Sequence, residues 1–495
     1  MKTIYFFYIL ISLIFLSFGQ TKGQTFIPAT THDVVAASGV QKVTNTGADW
    51  AFFDNDYFKV TVWDGDNPMI GWDKGQNPET PFSFLGSQIG KVEDPDVVVY
   101  PDGNNLFAFF IYLIKGNVFV EGQYYNNGNQ QWNTTFAPVQ LTNSGNCHTP
   151  NVDINEQNNL VAVWQDDNDI KVLFTNVSYQ NANILTFFQS SQSYNYRDPD
   201  VSVFTSSNGS VFYSVAFIRV YTQSGTEELL YKIHNNFGSV NRTLQHYLGG
   251  SYPAKYDKPR IACSRDPNSE YYETTVTYFD GKGSNFIYGL NTIVSNTYPP
   301  TIISTGPTII NNGLTNDYNA NPCVAYANSG RFAVVWENES ANTDMKDIIM
   351  RKLDISGNPL NTNYYVVNQH ITENQFAPSV RGMQPANHVL LYVFYNEYTQ
   401  SIEYKESDIY GSAVRKGRNI QNTDFLFPNP ATDYVSLNIH NEGRYYISDA
   451  NGKIVLSGNY SPKNNQICIK NLSAGLYFIK TIKDSEIKTY KLFIQ

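Results

Sequence analysis

Short apolar runs separated by polar turns recur through most of the chain. The strongest are Val60–Trp63, Phe107–Phe110, Val161–Trp164, Val215–Phe217, Val276–Phe279, Ala333–Trp336 and Leu391–Phe394. Each is too short for a helix and is built from β-branched and aromatic residues, as a buried strand requires. A weaker strand precedes each run from the second onward, marked by a proline: Asp94-Pro95-Asp-Val97, Thr149-Pro150-Asn-Val152, Asp198-Pro199-Asp-Val201, Lys258-Pro259-Arg-Ile261, Asn321-Pro322-Cys-Val324 and Ala377-Pro378-Ser-Val380. A third strand follows each run from the second onward, as in Val118–Val120, Ile170–Phe174 and Ile348–Leu353. A fourth is visible as Val139–Leu141 and Tyr365–Val367.

The prolines recur roughly every 50–60 residues, the period of a solenoid, propeller or array. Four strands per copy, seven copies and no intervening helix predict an all-β fold, a β-propeller of seven four-stranded blades. Two stacked sandwiches would not keep one strand order at so steady a period. In the first copy, which lacks the proline, Trp50–Phe53 can serve as the inner strand. An open ring would leave strand edges unpaired. Residues 33–43 are therefore expected to complete the last blade, beside Ile409–Val414.

The two ends of the chain read differently. Lys2 followed by an apolar run from Ile4 to Phe18 and small residues to Gly23 has the form of a signal peptide. The run is shorter than the roughly 20 residues of a spanning helix, and no later run equals it, so no transmembrane segment is expected in the mature chain. After Pro428 and Pro430, strand-like runs at Tyr434–Ile439, Arg444–Ser448, Lys453–Leu456, Gln466–Ile469, Gly475–Ile482 and Lys488–Ile494 predict a small Ig-like β-sandwich. Asn451-Gly452 suits a hairpin turn. The expected boundaries are 1–23 signal peptide, 24–416 propeller, 417–424 linker and 425–495 terminal domain.

The tail carries four landmarks in order: Pro428-Asn429-Pro430, Gly452-Lys453, Gly475 with Tyr477, and Lys491 near the end. Together they resemble the C-terminal sorting domain of type IX secretion cargo from Bacteroidetes-type bacteria. That resemblance implies a partner, the type IX secretion machinery, and a location: passage through the periplasm to the cell surface or the medium. The closing Lys-Leu-Phe-Ile-Gln departs from the pattern, which ends on a basic residue.

Composition narrows the rest. The chain of 495 residues has a net charge of −10, and from Asp424 onward Lys and Arg outnumber Asp and Glu, so the acidity lies in the body. An acidic body argues against nucleic acid, whose phosphates need Lys and Arg. With 36 Tyr and 31 Phe, the composition favours strands over helices. The four cysteines, Cys147, Cys263, Cys323 and Cys468, show no metal or disulfide spacing and read as buried free thiols.

Candidate chemistry sits where the inner strands begin. The residues flanking the prolines would ring a central channel, bringing Asp94 or Asp96, Asp198 or Asp200, and Lys258 or Arg260 onto one rim. Carboxylates beside a cation suit a polar ligand or a metal. The plainer reading is that Asp-Pro and Asn-Pro start turns. A second set of acids follows the apolar runs: Asp64, Asp66, Asp166, Asp167, Asp169, Asp280, Glu337, Glu339 and Glu397. Calcium is conceivable there, but the EF-hand spacing is absent, so no cofactor is expected and most of these acids read as hairpin tips in solvent. Trp63, Trp164 and Trp336 stand at matching positions, which predicts packing between blades.

The body resembles the sialidase-like propeller superfamily in outline, without its Ser-x-Asp-x-Gly-x-x-Trp boxes or a marked arginine triad. No nucleophile elbow, zinc motif or P-loop occurs, so no catalytic residue is assigned. The expectation is an exported protein binding an extracellular glycan or protein. A glycoside hydrolase or lyase, or a structural adhesion component, are the alternatives.

Overall fold

The computed structural model describes residues 24–26, 34–38, most of 43–408 and most of 425–494. Residues 1–23, read above as a signal peptide, and Ile409–Val414, Asp66, Pro428, Asn429, Pro430 and Gly452 lie outside the described residues. The chain divides into two compact units, Met1–Val414 and Arg415–Gln495.

The first unit is a β-propeller. Its described strands form seven sheets. The first strands of these sheets are Thr46–Phe53, Glu93–Asp102, Cys147–Ile154, Tyr194–Thr205, Tyr256–Cys263, Tyr318–Ala327 and Gln375–Gly382. Each of them touches the first strand of the next sheet, and Gln375–Gly382 returns to Thr46–Phe53, which closes a ring around a channel. Apart from two strands from the start of the chain, the strands of each sheet succeed one another outward in chain order and pair antiparallel.

The apolar runs lie in the second strands. Asn105–Ile114 is buried along nearly its whole length, whereas the outermost strand of that sheet, Gln131–Gln140, has no buried position. The core is correspondingly split into clusters, each shared by two neighbouring sheets. Val152, Leu160, Ala162 and Trp164 of the third sheet pack on Val98, Phe109 and Ile111 of the second. Trp63, Trp50 and Val43 pack on Leu391, Val393 and Tyr395, joining the first sheet to the seventh. Trp63, Trp164 and Trp336 are fully buried, as their repeat positions predict. Truncating one of them to Ala would cost roughly 3–5 kcal/mol.

Both early strands join late sheets. Val34–Ser38 pairs antiparallel with Ser401–Tyr404 and becomes the outermost strand of the seventh sheet. Gln24–Phe26 pairs parallel with Tyr364–Val366 in the sixth. A closing strand thus lies within residues 33–43 and pairs with the third strand of the seventh sheet; Ile409–Val414, expected beside it, lies outside the described residues.

The second unit holds a three-stranded sheet, built from Phe425–Phe427, Tyr434–Asn438 and Gln466–Cys468, and a four-stranded one. The latter contains Gly443–Asp449, Ile454–Tyr460, Gly475–Lys483 and Glu486–Ile494. Val435, Ile467, Ile447, Ile479 and Leu492 from both sheets share one core.

Candidate functional site at the propeller channel

Every repeat proline is preceded by a residue in the left-handed region: Asp94 at φ 46°, Thr149 at 47°, Asp198 at 51°, Lys258 at 48°, Asn321 at 51° and Ala377 at 51°. At each of these points the ladder to the second strand slips register. The first sheet, with no proline, pairs without a break. A proline disfavours a helical conformation in the residue before it, and a left-handed non-glycine residue costs about 1–2 kcal/mol. A bulge can re-aim a side chain, and here six bulges recur at equivalent positions of six inner strands. The surroundings hold the strained backbone. The prolines are buried. Glu337 Oε1 accepts the Ala377 N–H at 2.8 Å and the Asn321 amide at 2.6 Å. Thr46 Oγ1 donates to the Ala377 carbonyl at 2.5 Å.

The pre-proline and post-proline residues therefore occupy successive levels. The pre-proline residues stand nearer the channel mouth on the face where the inner strands begin. Lys258 is exposed there and donates to Asn321 Oδ1; Asp94, Thr149, Asp198 and Asn321 are half-buried. Asp198 is paired with Arg197, whose other nitrogen reaches Glu227 at 3.0 Å. Burial and the neighbouring Asp64 carboxylate raise the pKa of Asp94, against the pull of Arg260 and Lys258.

Below that rim the acids serve the backbone. An innermost strand has one edge without a strand partner, and its N–H groups need acceptors. The previous sheet supplies them. Asp49 accepts the Val99 N–H at 2.8 Å, Asp96 the Val152 N–H at 3.0 Å, Asp153 the Val203 N–H at 2.7 Å and Asp200 the Ile261 N–H at 2.8 Å. Ser202 Oγ does the same for Cys263 at 3.1 Å. Asp96 and Asp200 are thus wedges between sheets.

Two arginines fill the space among these carboxylates. Arg381 of the seventh sheet lies 3.6 Å from Asp96 and 3.7 Å from Asp153, and donates to the carbonyls of Ala48 at 3.1 Å and Val152 at 3.2 Å. Arg260 of the fifth sheet reaches Asn151 Oδ1 at 3.4 Å. Burial works against the Arg381 charge, but Asp96, Asp153 and Asp49 outweigh it and hold the guanidinium firmly protonated. Burial lifts Asp200 to about 6, even with Arg260 beside it, and raises Asp96 although Arg381 opposes the shift. Among the described residues, Asp96, Asp153, Asp200, Arg260 and Arg381 put ionisable groups at this level of the channel. Among the described residues, no group of three or more His, Cys, Asp or Glu is placed to hold a metal ion.

Sequence reasoning did not single out Arg381, Asp49, Asp153 or Ser202. They lie one step further along the same strand face, two residues beyond the post-proline position or its equivalent. Strand alternation was the available signal.

The second set of acids is corrected in part. Asp64 and Glu337 are buried, not solvated. Asp64 Oδ1 accepts the N–H groups of Thr44 and Asn45, each at 2.8 Å, and Oδ2 accepts the Thr44 hydroxyl at 2.6 Å. Asp169 likewise takes the Ser190 N–H at 2.7 Å and hydroxyl at 2.8 Å. Asp64 thus fixes the segment entering its own inner strand, and Asp169 the segment entering the inner strand of the next sheet. Cys468 is also exposed, while Cys147 and Cys263 are buried and Cys323 is half-buried in the channel. In the tail, Lys453 N–H bonds Asp449 Oδ1 at 3.0 Å across the turn, and the buried Tyr477 donates to the Ser473 carbonyl at 2.9 Å. Gly475 opens the strand that carries Tyr477, and Lys491 pairs with Phe478 in the last strand.

The fold defines the class, a ring-shaped β-propeller followed by a small β unit. Residues 425–495 match the secretion system C-terminal sorting domain. The chain is cargo of the type IX system, exported to the cell surface or the medium, and its tail engages that machinery. No helix among the described residues is long and apolar enough to cross a membrane. Comparison with curated proteins gave no match. Among solved structures, the chain is similar to a PL25 ulvan lyase bound to a saccharide (9% identity, 75% of this chain, 95% of that one, TM-score 0.49). It is also similar to a mutant of AofleA from Arthrobotrys oligospora (8% identity, 68% and 90%, TM-score 0.41). A third is prolyl oligopeptidase B from Galerina marginata (8% identity, 88% of this chain, TM-score 0.39), of which the chain spans only 56%.

Proposed function

We propose that this exported propeller binds an extracellular ligand, a glycan before a protein, at the mouth of its channel. One observation carries the reading: six residues at equivalent repeat positions, each just before a proline and each at a register slip, are held in a strained left-handed backbone. Strain repeated at one level of a ring needs a reason beyond packing, and such strain gathers at ligand sites. Asp94, Asp198 and Lys258 would supply the polar contacts. Asp96, Asp200 and Arg260 would support them from below.

The test is a glycan array probed with the mature chain, beside variants Asp94→Asn and Lys258→Ala. The expected result is binding that weakens in both variants. Binding untouched by either, or no binding at all, overturns the reading. An enzyme acting on polysaccharide is a second reading, favoured by Asp200, which burial raises to about 6 beside Asp96. Release of reducing or unsaturated ends from the bound glycan, lost in Asp200→Asn, would support it.

A further inference from the structure

The fourth sheet stands above its neighbours at the channel mouth. Beyond its bulge the ladder continues for four residue pairs, from Arg197↔Ile218 to Tyr194↔Tyr221. The third sheet adds two pairs beyond its bulge and the fifth also two. Two further pairs raise the tip by about 7 Å. The tip is pinned by its own hydrogen bonds: Thr222 N–H to the Ser193 carbonyl at 3.0 Å, Thr222 Oγ1 to the Gln192 carbonyl at 2.6 Å, and Gly225 N–H to the Tyr221 carbonyl at 2.8 Å.

Strand alternation puts Tyr194, Tyr196, Arg219 and Tyr221 on one face of this tip. Tyr196 is buried in the core shared with the third sheet, which fixes the direction of that face. Tyr194 and Tyr221, one step higher, are half-buried. They meet edge to face at 5.7 Å, and the Arg219 guanidinium lies 5.4 Å from one ring and 5.2 Å from the other. Glu228 Oε2 accepts Arg219 Nε at 3.0 Å and one terminal nitrogen, and that nitrogen also lies 3.2 Å from the Tyr221 hydroxyl. The Glu228 carboxylate neutralises the arginine.

We propose that this raised tip is a saccharide platform for a neutral glycan chain. It rests on the glycan reading above and gives it a site and a class. The half-buried rings, with Arg219 over each of them, would give the C–H side of a sugar aromatic surface beside a cation. The clamped Arg219–Glu228 pair offers a donor and an acceptor side by side, the match for vicinal hydroxyls, with no net charge. A tip held by main-chain bonds loses little freedom on binding. The charge of −10 on the chain repels a polyanion, which selects neutral sugars over uronate or sulfated ones.

The test is affinity electrophoresis of the mature full-length chain through gels containing galactomannan, hydroxyethylcellulose or polygalacturonate. The variants are Tyr194→Ala with Tyr221→Ala, Glu228→Gln alone, and the rim variant Lys258→Ala. Melting curves check that each variant is folded. Retardation by a neutral gel is expected, weakened about tenfold in the double tyrosine variant, as two lost ring contacts imply. Glu228→Gln should weaken it too, and because it keeps the side-chain volume it covers a double variant that fails to fold. Neutral retardation lost in Lys258→Ala but unchanged at the tip overturns this inference and leaves the mouth reading standing. Retardation by polygalacturonate alone overturns the neutral class. No retardation by any gel, together with a blank glycan array, overturns both.

Discussion

Arg381 and Asp153 meet across the propeller channel at 3.7 Å, one from the seventh sheet and the other from the third. The contact ties together sheets that are not neighbours in the ring. Asp153 also accepts the Val203 N–H and the Ser202 hydroxyl, so one carboxylate joins three sheets. Removing the guanidinium strands Asp153 and Asp96 in a buried setting, a loss of about 3–5 kcal/mol. Arg381→Met should therefore lower the midpoint of urea unfolding sharply. Adding Asp153→Asn should recover part of it, because the amide oxygen still serves Val203 without the orphaned charge. A double variant no more stable than Arg381→Met would refute the charge argument.

A second prediction concerns acid. His234 is fully buried between Tyr213, stacked at 4.9 Å, and Phe187 at 4.5 Å, and neither ring nitrogen has a hydrogen-bond partner among the described residues. Burial, helped by Lys232, lowers its pKa to about 3. The folded state thus binds fewer protons than the unfolded one between about 3 and 6.5. This stabilising contribution is complete above 6.5 and is lost as pH falls towards 3. Asp347 has the opposite sign: burial raises it to about 6, opposed by the Asn368 amide, so its contribution falls as pH rises from 3.8 to 6. His234→Phe keeps the stack and removes the unpaired polar atoms. It should raise stability at pH 7 by about 1 kcal/mol and flatten the acid limb of the melting temperature. An unaltered acid limb would show that His234 does not set it.

The repeat was legible because its marks are local. A proline and an apolar run about fourteen residues later suffice for a blade, and Pro150 with Trp164 or Pro322 with Trp336 carry both. The channel chemistry was less so. Arg381 has partners in three other repeats, Ala48, Asp96 and Asp153, and no spacing rule brings those together. The left-handed residues before the prolines run against the ordinary preference of that position. Asp64 and Glu337 look like any turn acids, since the groups that bury them, the N–H groups of Thr44 and Ala377, carry no side-chain signature.

Thiol chemistry gives a third expectation. Cys468 is exposed, Cys147 and Cys263 are buried, and Cys323 sits half-buried in the channel. Burial raises the pKa of both Cys147 and Cys323, which suppresses the reactive thiolate. A thiol-reactive chromophore added to the native protein should consume one thiol quickly and the others only in denaturant. Cys468→Ser should abolish the fast phase. A fast phase that survives this substitution would contradict the placement of the four thiols.

Ring closure supplies the last prediction. Among the described strands, Val34–Ser38 is the outer strand of the seventh sheet and Gln24–Phe26 an added strand of the sixth, so both late sheets take a strand from residues 24–38. Without residues 24–43, Ser401–Asp408 loses its outer partner among the described strands and is left as an edge. Such an edge templates pairing with another chain. The truncated protein should melt well below the full mature chain and elute in light scattering as dimers or larger species. A peptide of residues 24–43 added in trans should restore both properties. A truncated chain that melts normally and stays monomeric would mean that the seventh sheet needs no outer strand.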